Sequence, residues 1–415
     1  QRDDSYSEYQ PMGEKKSVDE QPLFSTYTLG LKTQRDAWAI NSSREHLSST
    51  MRGLITEYNS LCERFGNWCA SQQLSRDDEA VEEFVVENSD PKRINWTRAL
   101  KADLRKDKRA EYSTNREMVC AYRPFFKQYV YFDRQFNEMV YQVPTLFPTV
   151  ESQNIVISIN AADQRKPVGA VITNVVPSLT LSDPGQCFPL YSYEEVSSEA
   201  SLFDDDAGVD GYTRRDAITD FTLDRYQGHY GLDVVKEDIF YFVYGMLHSR
   251  EYLQRYQSDL IKRIPRIPLV DDFWGFSKAG RDLAYWHLNY EIIDPWELEG
   301  IPPEGTPASA FRVEKMRFAK KAEGHPKSAI VVNSHVTLSG IPQEAYRYAV
   351  NGKSAIEWLI DRYQVKTDKA SGIVNDPNLY SDDPRYIVDL VARIVRVSME
   401  SVAIIDGLPK LNIIE

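Results

Sequence analysis

The hydrophobic period of this chain shifts from helical to strand-like and back, which restricts it to folds that combine helices with sheet. Leu47, Met51, Leu54, Tyr58, Leu61 and Phe65 recur at steps of three or four, the spacing of one helix face. Ser42 or Ser43 stands where the cap of that helix is expected. Between Cys120 and Tyr193 the texture becomes short β-rich runs, QYVYFDR, NIVISIN and GAVITNVV, punctuated by Gly and Pro. These predict a sheet with hairpins. The helical stripe returns at Ile239, Val243, Met246, Leu253, Tyr256, Leu260 and Ile264, and Pro265 stops it. A second helix is expected over 278–290, capped by Ser277. The last hundred residues mix strands (FRVEKMRF, AIVVNSHVTLSG) with two helices. One opens at Ser354, the other at Asp383 with Pro384 in its first position. The class expected is mixed α+β.

The connections are equally patterned. A polar tail precedes an extended run from Leu23 to Ile40. Residues 71–90 are acidic and polar, ending in the loop signal Asn88-Ser89-Asp90-Pro91. A charged helical stretch over 92–111 follows. Residues 194–216, with Asp204-Asp205-Asp206, read as an exposed acidic loop, and 295–309 as a Pro/Gly-rich connector. The length of 415 residues predicts two or three domains. No apolar run reaches the length of a membrane span, and the polar start QRDDSYSEYQ has no signal core. Cys62, Cys69, Cys120 and Cys187 are spaced for neither a disulfide framework nor a zinc ribbon, which points to a reducing cytoplasm.

Residues for covalent chemistry are sparse. No two glycines flank a single residue, so no dinucleotide or kinase-type glycine loop is present. Gly352-Lys353-Ser354 resembles the end of a phosphate loop, but Arg347 occupies the place of the upstream glycine. Ser354 and Glu357 read better as a capping box. His46, His229, His248, His287, His325 and His335 are scattered without metal-ligand spacing. Gly275-Phe276-Ser277-Lys278-Ala279-Gly280 has one residue too many for a nucleophile elbow. No Pro-Asp dipeptide opens a nuclease motif, and the Asn/Asp-Pro-Pro-Tyr tetrapeptide of amino-methyltransferases is missing. No catalytic residue and no metal ligand is therefore assigned.

Positive charge is concentrated although the chain as a whole carries −13. Lys92, Arg93, Arg98, Lys101, Arg105, Lys106, Lys108, Arg109 and Arg116 crowd one stretch, opposed locally by Asp103, Asp107 and Glu111. Trp96 lies inside it, and Arg123 and Lys127 follow among Tyr122, Phe125 and Phe126. A second stretch holds Arg312, Lys315, Arg317, Lys320, Lys321 and Lys327 against Glu314 and Glu323. Such cations neutralise phosphates with little sequence information, and a solvated helix face is the plain alternative. Lys262 and Arg263 fall at a helix end, where they complement its dipole. Arg266, just beyond that turn, is freer and joins the candidates for contacting phosphate. An acidic remainder limits non-specific adhesion.

The ordered segments QRDDSYSEYQPMG, KTQRDAW, INWTRALKADLRK, YRPFFKQYVYFDRQFNEM, ITDFTLDRYQGHYG and KEDIFYFVYGMLHSREY are followed by three more. These are IPRIPLVDDFWGFSKAGRDLAYWHLNYE, FRVEKMRFAKK and YAVNGKSAIEWLIDRYQV. Together they resemble the carboxy-terminal part of single-polypeptide Type I (Type ISP) restriction–modification enzymes and related helicase–N6-adenine methyltransferases. The resemblance runs from the first residues to about position 400. It implies a trailing edge of a methyltransferase over 1–45 and a helical coupler over 46–118. A target-recognition domain of sheet and helices follows over 119–300, with a smaller C-terminal α+β lobe over 301–415.

The implied partners are double-stranded DNA and the upstream methyltransferase and ATPase domains of the same polypeptide, with no membrane. The chain itself would hold no cofactor, and S-adenosylmethionine, ATP and Mg would belong upstream. A start at Gln1 without Met fits such a piece. In DNA recognition, Arg suits guanine, and Asn or Gln suits adenine, while the target adenine must leave the stack for methylation. Base-reading residues are expected where the resemblance is poorest, over 160–215, 300–312 and near His325. His248, Ser249 and Asn289-Tyr290-Glu291 are open between functional and packing roles. Retained S-adenosylmethionine contacts and a protein–protein coupling module are the competing functions.

Overall fold

Ser43 ends the extended run by accepting the His46 amide at 3.1 Å, which opens helix α1, Arg44–Gln72. The structure, a computed structural model, describes residues 4–13, 21–160, 168–196, 211–321 and 323–414. Asp204-Asp205-Asp206 and much of 160–215 lie outside the described residues. The stripe from Leu47 to Phe65 is fully buried against α2, Asp78–Asn88, and α3, Arg98–Arg105.

Two of these helices differ from expectation. Helix α2 occupies the acidic stretch read as polar: Asp77 caps it by accepting the Ala80 amide at 2.9 Å. Ala80, Val81, Phe84 and Val85 supply a narrow buried face among the acids. Helix α3 is shorter than the expected 92–111. Thr97 caps its start, and at its end Asp107 takes a left-handed φ of 53°, which turns the chain away.

The β-rich middle forms two four-stranded sheets. One runs Thr28–Leu29, Gly185–Pro189, Val156–Asn160, Ala170–Thr173, all antiparallel. The other runs Ile40–Asn41, Phe126–Tyr131, Glu117–Arg123, Val176–Pro177, its last pair parallel. The extended run from Leu23 to Ile40 contributes only the two short edge strands. Between them Thr33 accepts the Arg35 amide at 3.2 Å and donates to Asp36. Such local bonds compete with a ladder, and a helical turn, Asp36–Ala39, forms instead.

After α4, Asp220–Tyr230, the long stripe of 239–264 is divided into α5, Lys236–Met246, and α6, Arg250–Arg255, with a short turn Gln257–Leu260. Ser249 makes the break by capping α6 through the Tyr252 amide. Helix α7, Phe273–Leu288, starts earlier than expected because Asp272, not Ser277, caps it, accepting the Gly275 amide at 2.8 Å. Ser277 is buried within the helix and donates to the Asp238 carbonyl at 2.9 Å. Helices α5 and α7 touch so closely that a Cβ on Gly280 would strike the Tyr241 carbonyl, and one on Gly245 the Phe276 carbonyl.

The C-terminal block joins a small antiparallel sheet (Arg317–Phe318, Ile330–Val331, Thr337–Leu338) to α8, Ala355–Arg362, and α9, Tyr386–Asp406. The Ser354–Glu357 capping box opens α8 as expected. Helix α9 begins after Asp383 and Pro384, since Asp383 is used in a preceding turn that accepts the Arg385 amide. The apolar core here also takes in Phe125 and Phe126, so the central hairpin reaches into this block.

Candidate nucleic-acid interface

Helices α1 and α2 and the segment after the Phe126–Tyr131 strand bring acids onto the first basic stretch. Arg93 meets Glu57 at 3.2 Å and Arg98 meets Glu138 at 2.7 Å. Lys101 meets Glu82 at 2.5 Å and Arg105 meets Asp78 at 2.7 Å. Lys108 pairs with Asp103, Arg109 with Asp107, and Arg116 with Asp133. Lys92 and Lys106 have no ion pair among the described residues. The acids Asp78 and Glu82 lie in the unforeseen α2, so the local balance overstated the open positive charge. Glu138 is buried and also faces the buried Arg35, whose guanidinium burial pushes down to about 10 while Glu138 pulls it back up.

Arg266, which lies beyond a helix end and looked free in sequence, is buried. Its Nη1 donates to the carbonyls of Ser7 at 3.0 Å and Tyr9 at 2.9 Å, tying the N-terminal segment to the core. Arg312 is held by Glu314 and Asp376, both at 2.8 Å. Lys315, Arg317, Lys320 and Lys321 are exposed, and no ion pair engages them among the described residues. The base of this second stretch is fastened: Lys327 pairs with Glu357 at 2.7 Å, over the rings of Phe318 and Tyr346. His325 Nε2 bonds the Ile341 carbonyl at 2.9 Å. The second stretch is thus anchored at its base and open along Lys315 to Lys321.

Arg123 lies 4.1 Å over the Tyr122 ring and donates to the Tyr122 carbonyl and the Thr180 hydroxyl. Beside it opens a cleft of about 360 Å³, lined by Tyr122, Phe126, Gln128, Arg362, Lys366 and Asn375 among others. Arg362 and Lys366 were missed in the sequence. Each is a single cation in its own segment, and Arg362 in the last turn of α8 passes for a dipole complement. No local signal marks them, because the cluster is assembled from distant segments.

The other open assignments have packing roles here. His287 is buried, with Tyr244 Oη at 2.6 Å on Nδ1 and Ser401 Oγ at 2.9 Å on Nε2, so it links α7 to α9. Burial holds it well below its ordinary value, and brings His248 down to about 4. Glu291 receives Lys127 and the Tyr386 hydroxyl, both at 2.6 Å, and Asn289 donates back to the Tyr285 carbonyl. All four cysteines are buried and free. Among the described residues no group of three or more His, Cys, Asp or Glu could hold a metal ion, and no helix is long and apolar enough to cross a membrane.

Fold and charge together define an α+β chain with an internally paired basic helix and an open cationic edge. The family model of the Type ISP C-terminal specificity domain matches residues 22–390, and the chain belongs to that family. It is similar over its whole length to the ATP-dependent Type ISP restriction–modification enzyme LlaBIII bound to DNA (34% identity, TM-score 0.83, 25% of that chain). A nuclease-deletion mutant of the Type ISP enzyme LlaGI, in complex with a DNA substrate mimic, is 33% identical with a TM-score of 0.83. A DrdV–DNA complex is 28% identical with a TM-score of 0.79. The chain covers 35% of the LlaGI chain and 39% of the DrdV chain, well under half of each solved chain. Comparison with curated proteins finds no match.

Proposed function

We propose that this chain recognises duplex DNA sequence-specifically for a Type ISP restriction–modification enzyme. It would present the site to an upstream N6-adenine methyltransferase and an ATP-dependent motor of the same cytoplasmic polypeptide, with S-adenosylmethionine, ATP and Mg bound there. The observation that carries this reading is the specificity-domain match over residues 22–390. The DNA bound in the similar LlaBIII, LlaGI and DrdV structures supports it. In this division the chain performs no covalent step itself. Residues 46–118 act as the coupler, 119–300 as the main recognition unit, and 301–415 as its C-terminal lobe.

Backbone phosphates would be held by the exposed cations, foremost Lys106, Lys315, Arg317, Lys320 and Lys321, with base contacts supplied elsewhere. Anisotropy titration of the chain with duplexes containing and lacking the methylated site of the parent enzyme tests this. Affinity should fall steeply with salt, and the cognate duplex should bind at least about a hundredfold tighter than the non-cognate one. Equal affinity for all duplexes, or no binding at low salt, would overturn the reading.

A further inference from the structure

Three segments distant in sequence meet at the cleft beside Arg123. The Glu117–Arg123 strand turns through Pro124 and Phe125 into Phe126–Tyr131. Tyr363, the neighbour of Arg362, donates its hydroxyl to the Phe125 carbonyl at 3.2 Å, and its ring lies 4.7 Å from that of Phe126. Lys315 is bridged to Gln364 across an antiparallel contact, and Val365 donates to the Glu314 carbonyl at 3.0 Å. Arg123, Lys315, Arg362 and Lys366 are therefore gathered in one place.

The cleft is lined by two cations, Arg362 and Lys366, and two carboxylates, Asp36 and Asp368, and among the described residues neither cation is ion-paired. Arg362 forms no ion pair, its Nε is enclosed without a partner, and its guanidinium lies 5.3 Å from the Trp358 ring. Lys366 also has no ion pair among the described residues. The nearby carboxylates take their hydrogen bonds from groups other than these two cations, and so oppose them only across a distance. Asp36 receives the Tyr122 hydroxyl at 2.7 Å and the Thr33 hydroxyl. Asp368 receives the Ser371 amide and hydroxyl, and Asp361 pairs with Lys353. Asp361 and, more weakly, Asp183 act on Arg362 through their fields, as Asp361 does on Lys366. Burial first, and then the neighbouring cations, hold both Arg362 and Lys366 below their ordinary values: Arg123 acts on Arg362, while Arg362, Arg123 and Lys315 act on Lys366.

Like charges gathered in a partly enclosed cleft repel one another, and an anion with several acceptor oxygens relieves that repulsion. A guanidinium offers such an anion a planar fork. The volume of about 360 Å³ falls in the range of small-ligand sites and exceeds what a lone ion fills. From the cleft, Lys315 and Arg317 share one face of an extended segment by their spacing, and the open charges continue to Lys320 and Lys321. A row of open cations that follows the chain away from the cleft suits a polymer of phosphates better than a single nucleotide.

We propose that this cleft is a phosphate site that grips the DNA backbone, with Arg362 and Lys366 as its donors and Arg123 and Lys315 at its rim. The assignment rests on the reading of the chain as a DNA-recognition domain. The test is a salt series of duplex titrations on the wild type, R362Q/K366Q, the exposed single variant K366Q, and K278Q as a control on α7. The double variant should lower the slope of log K against log salt by nearly 2, at about 0.9 per phosphate neutralised, and K366Q by about half as much. K278Q, paired to Asp282, should leave the slope as it is. An unchanged slope in K366Q and in the folded double variant would overturn the proposal.

In a second arm, thermal unfolding is followed with inorganic phosphate or dAMP against chloride at equal ionic strength. Phosphate should raise the midpoint of the wild type more than that of R362Q/K366Q. Saturable dAMP stabilisation with an unaltered duplex slope would assign the cleft to a free nucleotide and overturn the DNA grip. If the wild type binds no duplex at all, the DNA-recognition reading fails. The phosphate arm then decides the anion site alone: a phosphate-specific shift supports it and its absence overturns it.

Discussion

The two basic regions look alike in sequence and differ in what faces their charges. In 92–116 the cations meet Glu57, Asp78, Glu82, Glu138 and Asp133, delivered by helices and turns that pack against the stretch. Around Lys315, Arg362 and Lys366 the small sheet, α8 and the central hairpin bring cations near one another without a direct ion pair, while Lys327 and Lys353 pair with Glu357 and Asp361 at the edges of the region. A dense run of Lys and Arg therefore marks potential, and only its surroundings show whether the charge is available to a ligand.

The largest effect expected from this contrast concerns how the C-terminal block is attached. His287 and His248 are neutral in the folded chain, and their unfolded counterparts take up protons below about 6.5. Stability should be intact above that pH and fall as pH drops toward the folded value of about 4 for His248. His248 alone accounts for about 3 kcal/mol of that loss. Because His287 joins α7 to α9, hydrogen exchange at pH 5 should open 311–406 before α1 to α3. Simultaneous opening would break the distinction between the two regions.

The next effect is similar in size and concerns the first region. Replacing Glu138 by Gln leaves the buried Arg35 without its compensating charge, and should cost about 3 kcal/mol in urea unfolding. A loss below about 1 kcal/mol would mean that the acids on this stretch are ornamental to the fold.

A smaller change separates the two sets in binding. Neutralising Arg317, Lys320 and Lys321 together should reduce the salt slope by about 0.9 for each phosphate left without its cation. The same treatment of Arg98, Lys101 and Arg105 should reduce it by less than half as much, since each must first leave a carboxylate. The reverse order would sink the comparison. Smallest is the effect of freeing the paired set. Asp78→Asn with Glu82→Gln should change stability by no more than about 0.5 kcal/mol, as exposed pairs contribute little. It should raise low-salt affinity for any duplex a few-fold, and an unaltered affinity would exclude Lys101 and Arg105 from the DNA face.

Much of the local architecture is legible in the sequence. The α1 stripe, the Ser43 cap, the β texture of 120–193 and the Ser354–Glu357 box all lie where the pattern puts them. Helix α2 escapes such a reading because four apolar residues among acids leave too narrow a face. The 239–264 stripe reads as one helix because period alone does not register that Ser249 caps a new one. Ser277 misleads for the opposite reason: a good cap residue stands inside a helix whose true cap, Asp272, lies upstream. The candidate cations are only partly legible. Arg266 looks free and is locked to Ser7 and Tyr9, while Arg362 and Lys366 look ordinary and line a cleft.

Local sequence carries the order of helical and sheet blocks, the caps at Ser43 and Ser354, and the likeness to the specificity-domain family. Caps and periods act over about four residues, so neighbours along the chain suffice to specify them. Which charges are open depends on how the chain is folded. Coulomb energy depends on separation in space and on burial, and folding sets Glu138 on Arg98 but Arg123 near Arg362, relations that no spacing along the chain encodes.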